Sequence, residues 1–123
     1  MILVDTSVWV SHFREGNTEL QQLLNEGDIV CHPFIIGELA CGNIQNRSEI
    51  FILLSSLPMV KESNHHEVLV FIEKKKFMGK GLGYIDVHLL ASALLSNVAI
   101  WSFDNKLNET AAELGMSYSY KKR

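Results

Sequence analysis

Met1-Ile2-Leu3-Val4-Asp5-Thr6-Ser7-Val8-Trp9 opens the chain, and its reading sets the fold. Ile2-Leu3-Val4 is a short apolar run of β type that stops abruptly at a carboxylate. Thr6 or Ser7 then offers an N-cap for a helix carrying Val8, Trp9, Val10 and Phe13. A strand that runs straight into a helix is the first half of an α/β unit, and the pattern repeats outward from it. Leu20, Leu23 and Leu24 mark a second helix that stops at Gly27, and Ile29-Val30-Cys31 reads as a second strand. Pro33 starts a helix containing Ile35, Ile36, Glu38 and Leu39. Ser48 to Leu57 is an apolar helix closed by Pro58, and Met59-Val60 a short third strand. Helical spacing at Val68, Leu69, Ile72 and Phe77 predicts a helix from about His65 to Met78. After the glycines at 79, 81 and 83 comes a strongly apolar helix from about Tyr84 to Leu95. Val98-Ala99-Ile100-Trp101 gives a fourth strand, and a last helix runs from about Asn105 to Gly115. Ser117 to Tyr120 supplies a fifth strand at one edge.

Strands alternating with helices predict an α/β domain over residues 1–123, with a central, mainly parallel five-stranded sheet. Right-handed crossovers place helices on both faces of such a sheet. Sites in these folds form beyond the carboxyl ends of the strands, so acids that follow strands are the residues to inspect.

A chain of 123 residues buries enough surface for a core without disulfide staples. The first apolar run is too short for a signal segment, and Ile50 to Leu57 is too short to span a bilayer. These features predict a cytoplasmic protein with no membrane contact, whose Cys31 and Cys41 are buried thiols. The formal net charge is −3. This argues against non-specific coating of a nucleic-acid duplex, which calls for a basic surplus. It does not argue against a nuclease, because metal-binding carboxylates lower the charge of the metal-free chain. Basic residues group at Lys74-Lys75-Lys76, at Lys80 and in Lys121-Lys122-Arg123.

Four acids occupy unusual places. Asp5 ends the first strand, and Asp104 follows Trp101 closely, where another strand ends. Asp86 lies in the first turn of the Tyr84–Leu95 helix, and Glu38 in the helix after the second strand. Each has a plain structural reading: Asp5 and Asp104 as N-caps, Asp86 at the positive end of its helix, Glu38 as an exposed helix residue. At 100° per residue, however, Asp86 projects between Leu90 and Ala93 in a helix apolar on nearly every side. Glu38 falls at the edge of the arc of Ile35, Ile36 and Leu39. Inward-facing carboxylates need a partner, and a divalent cation would satisfy several together. All-oxygen ligation suits Mg²⁺ or Mn²⁺. A zinc site from Cys31, His32, Cys41 and His88 matches no zinc spacing template.

The sequence resembles the PIN-domain ribonucleases, and among them the VapC-type toxins of bacterial toxin–antitoxin pairs. The resemblance covers essentially the whole chain. It rests on Val4-Asp5-Thr6-Ser7-Val8-Trp9, Gly37-Glu38-Leu39-Ala40, Tyr84-Ile85-Asp86-Val87-His88-Leu89-Leu90-Ala91-Ser92 and Ile100-Trp101-Ser102-Phe103-Asp104-Asn105-Lys106-Leu107, in that order. It implies a PIN-like three-layer sandwich with strand order 3-2-1-4-5. It also implies a catalytic, metal-binding quartet of Asp5, Glu38, Asp86 and Asp104, with supporting hydroxyls at Ser7 and Ser102. Many PIN domains carry a further acid two residues after the fourth, where this chain has Lys106. Asp104 is then the candidate ligand from that loop. The resemblance further implies homodimerisation and a cognate VapB-type antitoxin.

The activity the resemblance implies is metal-dependent hydrolysis of an RNA phosphodiester, which would inhibit translation. Asp5, Asp86 and Asp104 would bind one or two ions; Glu38 would bind through water or orient the attacking water. Ser7 and Ser102 would fix carboxylates or bound waters. Lys80, in Gly79-Lys80-Gly81-Leu82-Gly83, is a candidate phosphate contact, although these glycines lack the ending of a phosphate-binding loop. Trp9, Phe13 and Phe34 read as core before they read as base-stacking residues. A haloacid-dehalogenase-type phosphatase would need a second Asp where Ser7 stands, and a receiver domain adjacent acids after the first strand. A non-catalytic PIN-like module that binds RNA or protein is the remaining alternative, favoured by loss of a quartet acid; all four are present.

Overall fold

The computed structural model describes residues 1–119. Tyr120, at the end of the expected fifth strand, and the basic Lys121-Lys122-Arg123 lie outside the described residues. The chain runs β1 (Ile2–Val4), α1 (Thr6–Glu15), α2 (Thr18–Asn25), β2 (Ile29–Val30), α3 (Pro33–Ala40), α4 (Arg47–Ser56), α5 (His65–Lys75), α6 (Tyr84–Ser96), β3 (Ala99–Trp101) and α7 (Asn105–Glu113).

Local chemistry sets several of these boundaries. Asn17 caps α2 by accepting from the Leu20 N–H at 2.9 Å, and Gly27, at φ 73°, turns the chain back toward β2. Pro33 starts α3 at a position where a missing N–H costs nothing. Asn64 and Glu67 form a reciprocal capping box at the start of α5. That helix stops at Lys76 in the left-handed region, short of the Met78 expected from periodicity.

β1 lies at the centre of the sheet, with the order β2-β1-β3 and both pairings parallel. Leu3 faces Val30 on one side and Ile100 on the other. The expected five-stranded sheet is therefore corrected to three strands among the described residues. Both expected edge segments are present only as isolated parallel bridges, Cys31 with Met59 and Ile100 with Ser117. The Met59 edge is short for a chemical reason. Pro58 has no N–H to donate, and the Lys61 N–H turns away to the Ser96 hydroxyl at 2.8 Å. Among the described residues, two backbone bonds hold it, Cys31 N to Pro58 O and Val60 N to Cys31 O, both 2.9 Å.

The core is built on β1 and α6. Leu3, Val4, Val8, Trp9, Leu89, Leu90 and Ile100 are fully buried. Each such aliphatic side chain contributes about 1.5–3 kcal/mol by leaving water. Every residue from Val87 to Ala93 is buried, as the all-round apolar pattern of α6 requires. The helix packs on β3 and α5, while α1 packs on α3 and α7 on β3. Cys31 is buried, but Cys41 is exposed at the C-terminal end of α3, contrary to the expectation of two buried thiols. Among the described residues, no helix is long and apolar enough to cross a membrane.

One buried group makes folding sensitive to acid. His32 is fully buried at the start of α3, and its Nδ1 accepts from the Phe34 N–H at 2.9 Å. Its Nε2 has no partner among the described residues. Burial holds the His32 pKa below its ordinary 6.5; Glu62 opposes the shift and His88 adds to it. A depressed histidine contributes stability that is present above the unfolded pKa and lost as pH falls below it. The urea midpoint should thus be flat near pH 7–8 and fall as pH drops below 6.5. His32→Asn, which keeps an acceptor for the cap, should remove part of that slope; an unchanged slope would show that His32 is not its source.

Candidate active site

The parallel register brings the ends of β1, β2 and β3 to one edge of the sheet, and the acids gather there. The Asp5 N–H donates to Trp101 O at 2.9 Å, so the turn leaving β1 lies against the turn leaving β3. Asp5 precedes α1 but does not cap it: its side chain makes no cap hydrogen bond. Instead Oδ2 accepts from the Ser7 hydroxyl and the Ser102 hydroxyl, both at 2.8 Å. The two serines are themselves fixed. Ser7 Oγ accepts from the Phe103 N–H at 3.0 Å, and Ser102 Oγ from the Asp104 N–H at 2.9 Å. With those N–H groups pointed at their lone pairs, both hydroxyl protons are committed to Asp5. Among the described residues nothing donates to Asp5 Oδ1, although the residue is only 7% exposed.

Each of the other acids accepts one hydrogen bond among the described residues. Asp104 caps α7, with Oδ1 accepting from the Leu107 N–H at 3.0 Å. Asp86 is half-buried in the first turn of α6, and its Oδ2 accepts from the Gly83 N–H at 3.0 Å. Glu38 is exposed on α3 and accepts from the Thr6 hydroxyl at 2.9 Å through Oε1. Thr6 is the residue that sequence reasoning missed, having been considered only as a cap. Its adjacency to Asp5 was the available signal, but its partner lies 32 residues away.

Electrostatics joins three of the four acids. Burial raises the Asp86 pKa above its ordinary value; the Gly83 N–H opposes this, and the charges of Asp5 and Asp104 raise it further. Asp86 therefore sits within the fields of both Asp5 and Asp104, whereas Glu38 is tied to Thr6, the residue next to Asp5. None of the four has a cationic partner among the described residues, whose one ion pair joins Lys80 and Glu113. Like charges crowded without a counter-charge are costly, and a cation relieves that cost. The donor set is all oxygen, which fits Mg²⁺ or Mn²⁺. Among the described residues, no three His, Cys, Asp or Glu side chains stand as a group that could hold a metal ion. Each carboxylate is instead engaged by its own hydroxyl or backbone N–H donors.

Lys80 is not part of this gathering. Its Nζ lies 3.8 Å from Glu113 Oε2, in an exposed pair. The methylenes of Lys106, which stands where many PIN domains have an acid, lie over the glycine loop. A Cβ on Gly81 would meet them at 3.6 Å. His88 and His32 are buried, and among the described residues their Nε2 atoms have no hydrogen-bond partner. Trp9 is core, as expected, and Phe13 stacks on it at 5.8 Å. Phe34 is about one-third exposed and packs edge-on against His88.

The sequence profile of the PIN domain matches residues 2–113, which spans β1 through α7 and all four acids. The chain belongs to the PIN-domain family. Within it, this PIN domain is 40% identical over 118 residues to Ribonuclease VapC32 of Mycobacterium tuberculosis, in the CDC 1551 / Oshkosh and the ATCC 25618 / H37Rv strains. The match covers 95% of each chain. It is also similar in fold to the crystal structure of PAE2754 from Pyrobaculum aerophilum. There the TM-score is 0.61 at 17% identity, covering 88% of this chain and 77% of that one. At that identity the likeness speaks for the fold alone. The family assignment agrees with the resemblance carried by the four sequence motifs.

Proposed function

We propose that this PIN domain is a VapC-type endoribonuclease toxin that hydrolyses RNA phosphodiester bonds with Mg²⁺ or Mn²⁺ and is neutralised by a VapB-type antitoxin. The observation that carries the reading is the gathering of Asp5, Asp86 and Asp104 without a cationic partner, in a chain so similar to a ribonuclease.

Each residue has a part that follows from its hydrogen bonds. Asp5 is held through Oδ2 by Ser7 and Ser102, which leaves Oδ1 without a donor among the described residues to serve a cation. Asp86 and Asp104 each spend one oxygen on a backbone N–H and keep the other for a cation. Glu38, steadied by Thr6 through Oε1, offers Oε2 to orient the attacking water. Bound Mg²⁺ or Mn²⁺ would supply charge relief at the phosphate and activation of water. Lys80 would exchange its loose pair with Glu113 for an RNA phosphate, at little cost since exposed pairs are weak. Cytoplasmic action, a homodimer and a structured, translation-related RNA such as a tRNA complete the proposal.

The test is cleavage of total RNA and of tRNA by the purified protein in Mg²⁺ or Mn²⁺ and in excess chelator. Cleavage should fall to background in chelator and return when the cation is restored. Undiminished cleavage in chelator would contradict the metal-dependent reading.

A further inference from the structure

A cavity of about 620 Å³ opens beside Thr6 and Glu38, between α1, α3 and the loop leading into α4. That volume lies within the range of small-molecule sites. Its lining divides by chemistry. Phe13, Ile44 and neighbouring aliphatic groups make an apolar floor, while Arg14, Asn43, Gln45 and Asn46 supply the polar rim. None of those four polar side chains has a hydrogen-bond or ion-pair partner among the described residues. Asn46 sits in the left-handed region at φ 55° immediately before α4 and does not use its amide as a cap.

The loop that carries the amides is held in place. Arg47 donates from Nη1 to Gly42 O at 3.2 Å and from Nη2 to Ala40 O at 2.6 Å. Its guanidinium also lies 4.9 Å from the centre of the Phe51 ring. This clamp ties the loop to the end of α3, so the amides are pre-positioned around the cavity. A pre-positioned rim loses less freedom when a ligand binds.

We propose that this cavity seats one unpaired nucleotide flanking the scissile phosphate, reading its base with Asn43 and Gln45 and holding its phosphate with Arg14. The inference rests on the ribonuclease reading above. Primary amides pair with base edges through a donor and an acceptor together, the mode by which unstacked RNA bases are read. An apolar floor suits the faces of a base, and a guanidinium suits a phosphate. Continuity decides the occupant. Thr6 and Glu38 belong both to the cavity mouth and to the acid site, so a strand crossing the acids places its next nucleotide here.

The experiment compares the wild-type protein, an Asn43→Ala/Gln45→Ala variant and an Arg14→Gln variant on single-stranded RNA with randomised flanks, sequencing the cut ends. The wild type should prefer particular bases at one fixed position from the cut. The double variant should lose that preference at that position alone, with KM raised about five- to a hundredfold and kcat changed far less. Arg14→Gln should raise KM without changing the preferred base. In a second arm, a labelled single-stranded RNA octamer is titrated in chelator into Asp5→Asn protein with and without the two alanines. Weaker binding by the alanine form supports the cavity even if cleavage conditions fail, which separates this inference from the ribonuclease reading. A double variant that cleaves with the wild-type preference and KM overturns the inference and leaves the ribonuclease standing. A double variant that cleaves normally but escapes a neutralising antitoxin also overturns it, assigning the cavity to a protein ligand.

Discussion

Asp5→Asn should lower cation-dependent RNA cleavage by roughly a thousandfold or more, since an ion's electrostatic contribution of several kcal/mol is lost and each 1.4 kcal/mol is tenfold. The substitution keeps the shape of the side chain but removes the charge at the point where β1 and β3 meet. It also disturbs Ser7 and Ser102, whose hydroxyls now share an amide in place of a carboxylate oxygen. The fold should survive, because the Asp5 N–H to Trp101 O bond is made by the backbone and the adjoining core residues are untouched. Circular dichroism and a melting curve close to wild type, alongside lost turnover, are the expected pair of results. Turnover within tenfold of wild type would remove Asp5 from the chemistry.

Asp86→Asn should stabilise the metal-free protein while removing most of its stabilisation by divalent cations. The sign follows from the direction of the shift. A carboxyl whose folded pKa is raised favours the folded state when protonated, and costs stability as pH rises through and above the ordinary carboxylate range. At neutral pH that cost is fully present, and the neutral amide removes it along with the repulsion from Asp5 and Asp104. The melting temperature in chelator should therefore rise by a few degrees. In the wild type, a cation at a hundred times its dissociation constant should add about 2.7 kcal/mol, or roughly 10 °C for a domain of this size. The variant should lose most of that gain. Equal cation-induced shifts in the two proteins would place the ion elsewhere.

How much of this was legible in the sequence depends on how local each signal is. The run from Val87 to Ala93 announced a buried helix because a helix apolar all round has only the interior to face, and α6 is buried there throughout. β1 and α1 were legible because an apolar strand and an amphipathic helix follow one another directly, although the N-cap position falls to Asp5 and not, as expected, to Thr6 or Ser7. The edge strands were misjudged: Met59-Val60 has the right residues, yet Pro58 and the departure of Lys61 to Ser96 leave room for one bridge. Cys41 was misplaced because hydrophobic character predicts burial, whereas the end of α3 carries it to the surface. Among site residues, Asp104 shows why single positions mislead, since it caps α7 and stands within the field of Asp86 at once. The Thr6–Glu38 bond and the Asn43–Asn46 rim were not legible, as both depend on how α1, α3 and the Arg47 clamp meet in space.

The most direct test of the account is the chemistry of the cut ends. Hydrolysis by water at an acid cluster around Asp5 leaves the RNA 2′-hydroxyl idle, so products of the purified protein with Mg²⁺ or Mn²⁺ should carry 5′-phosphate and 3′-hydroxyl ends. Products bearing 2′,3′-cyclic phosphate and 5′-hydroxyl ends, absent from an Asp5→Asn control, would contradict it.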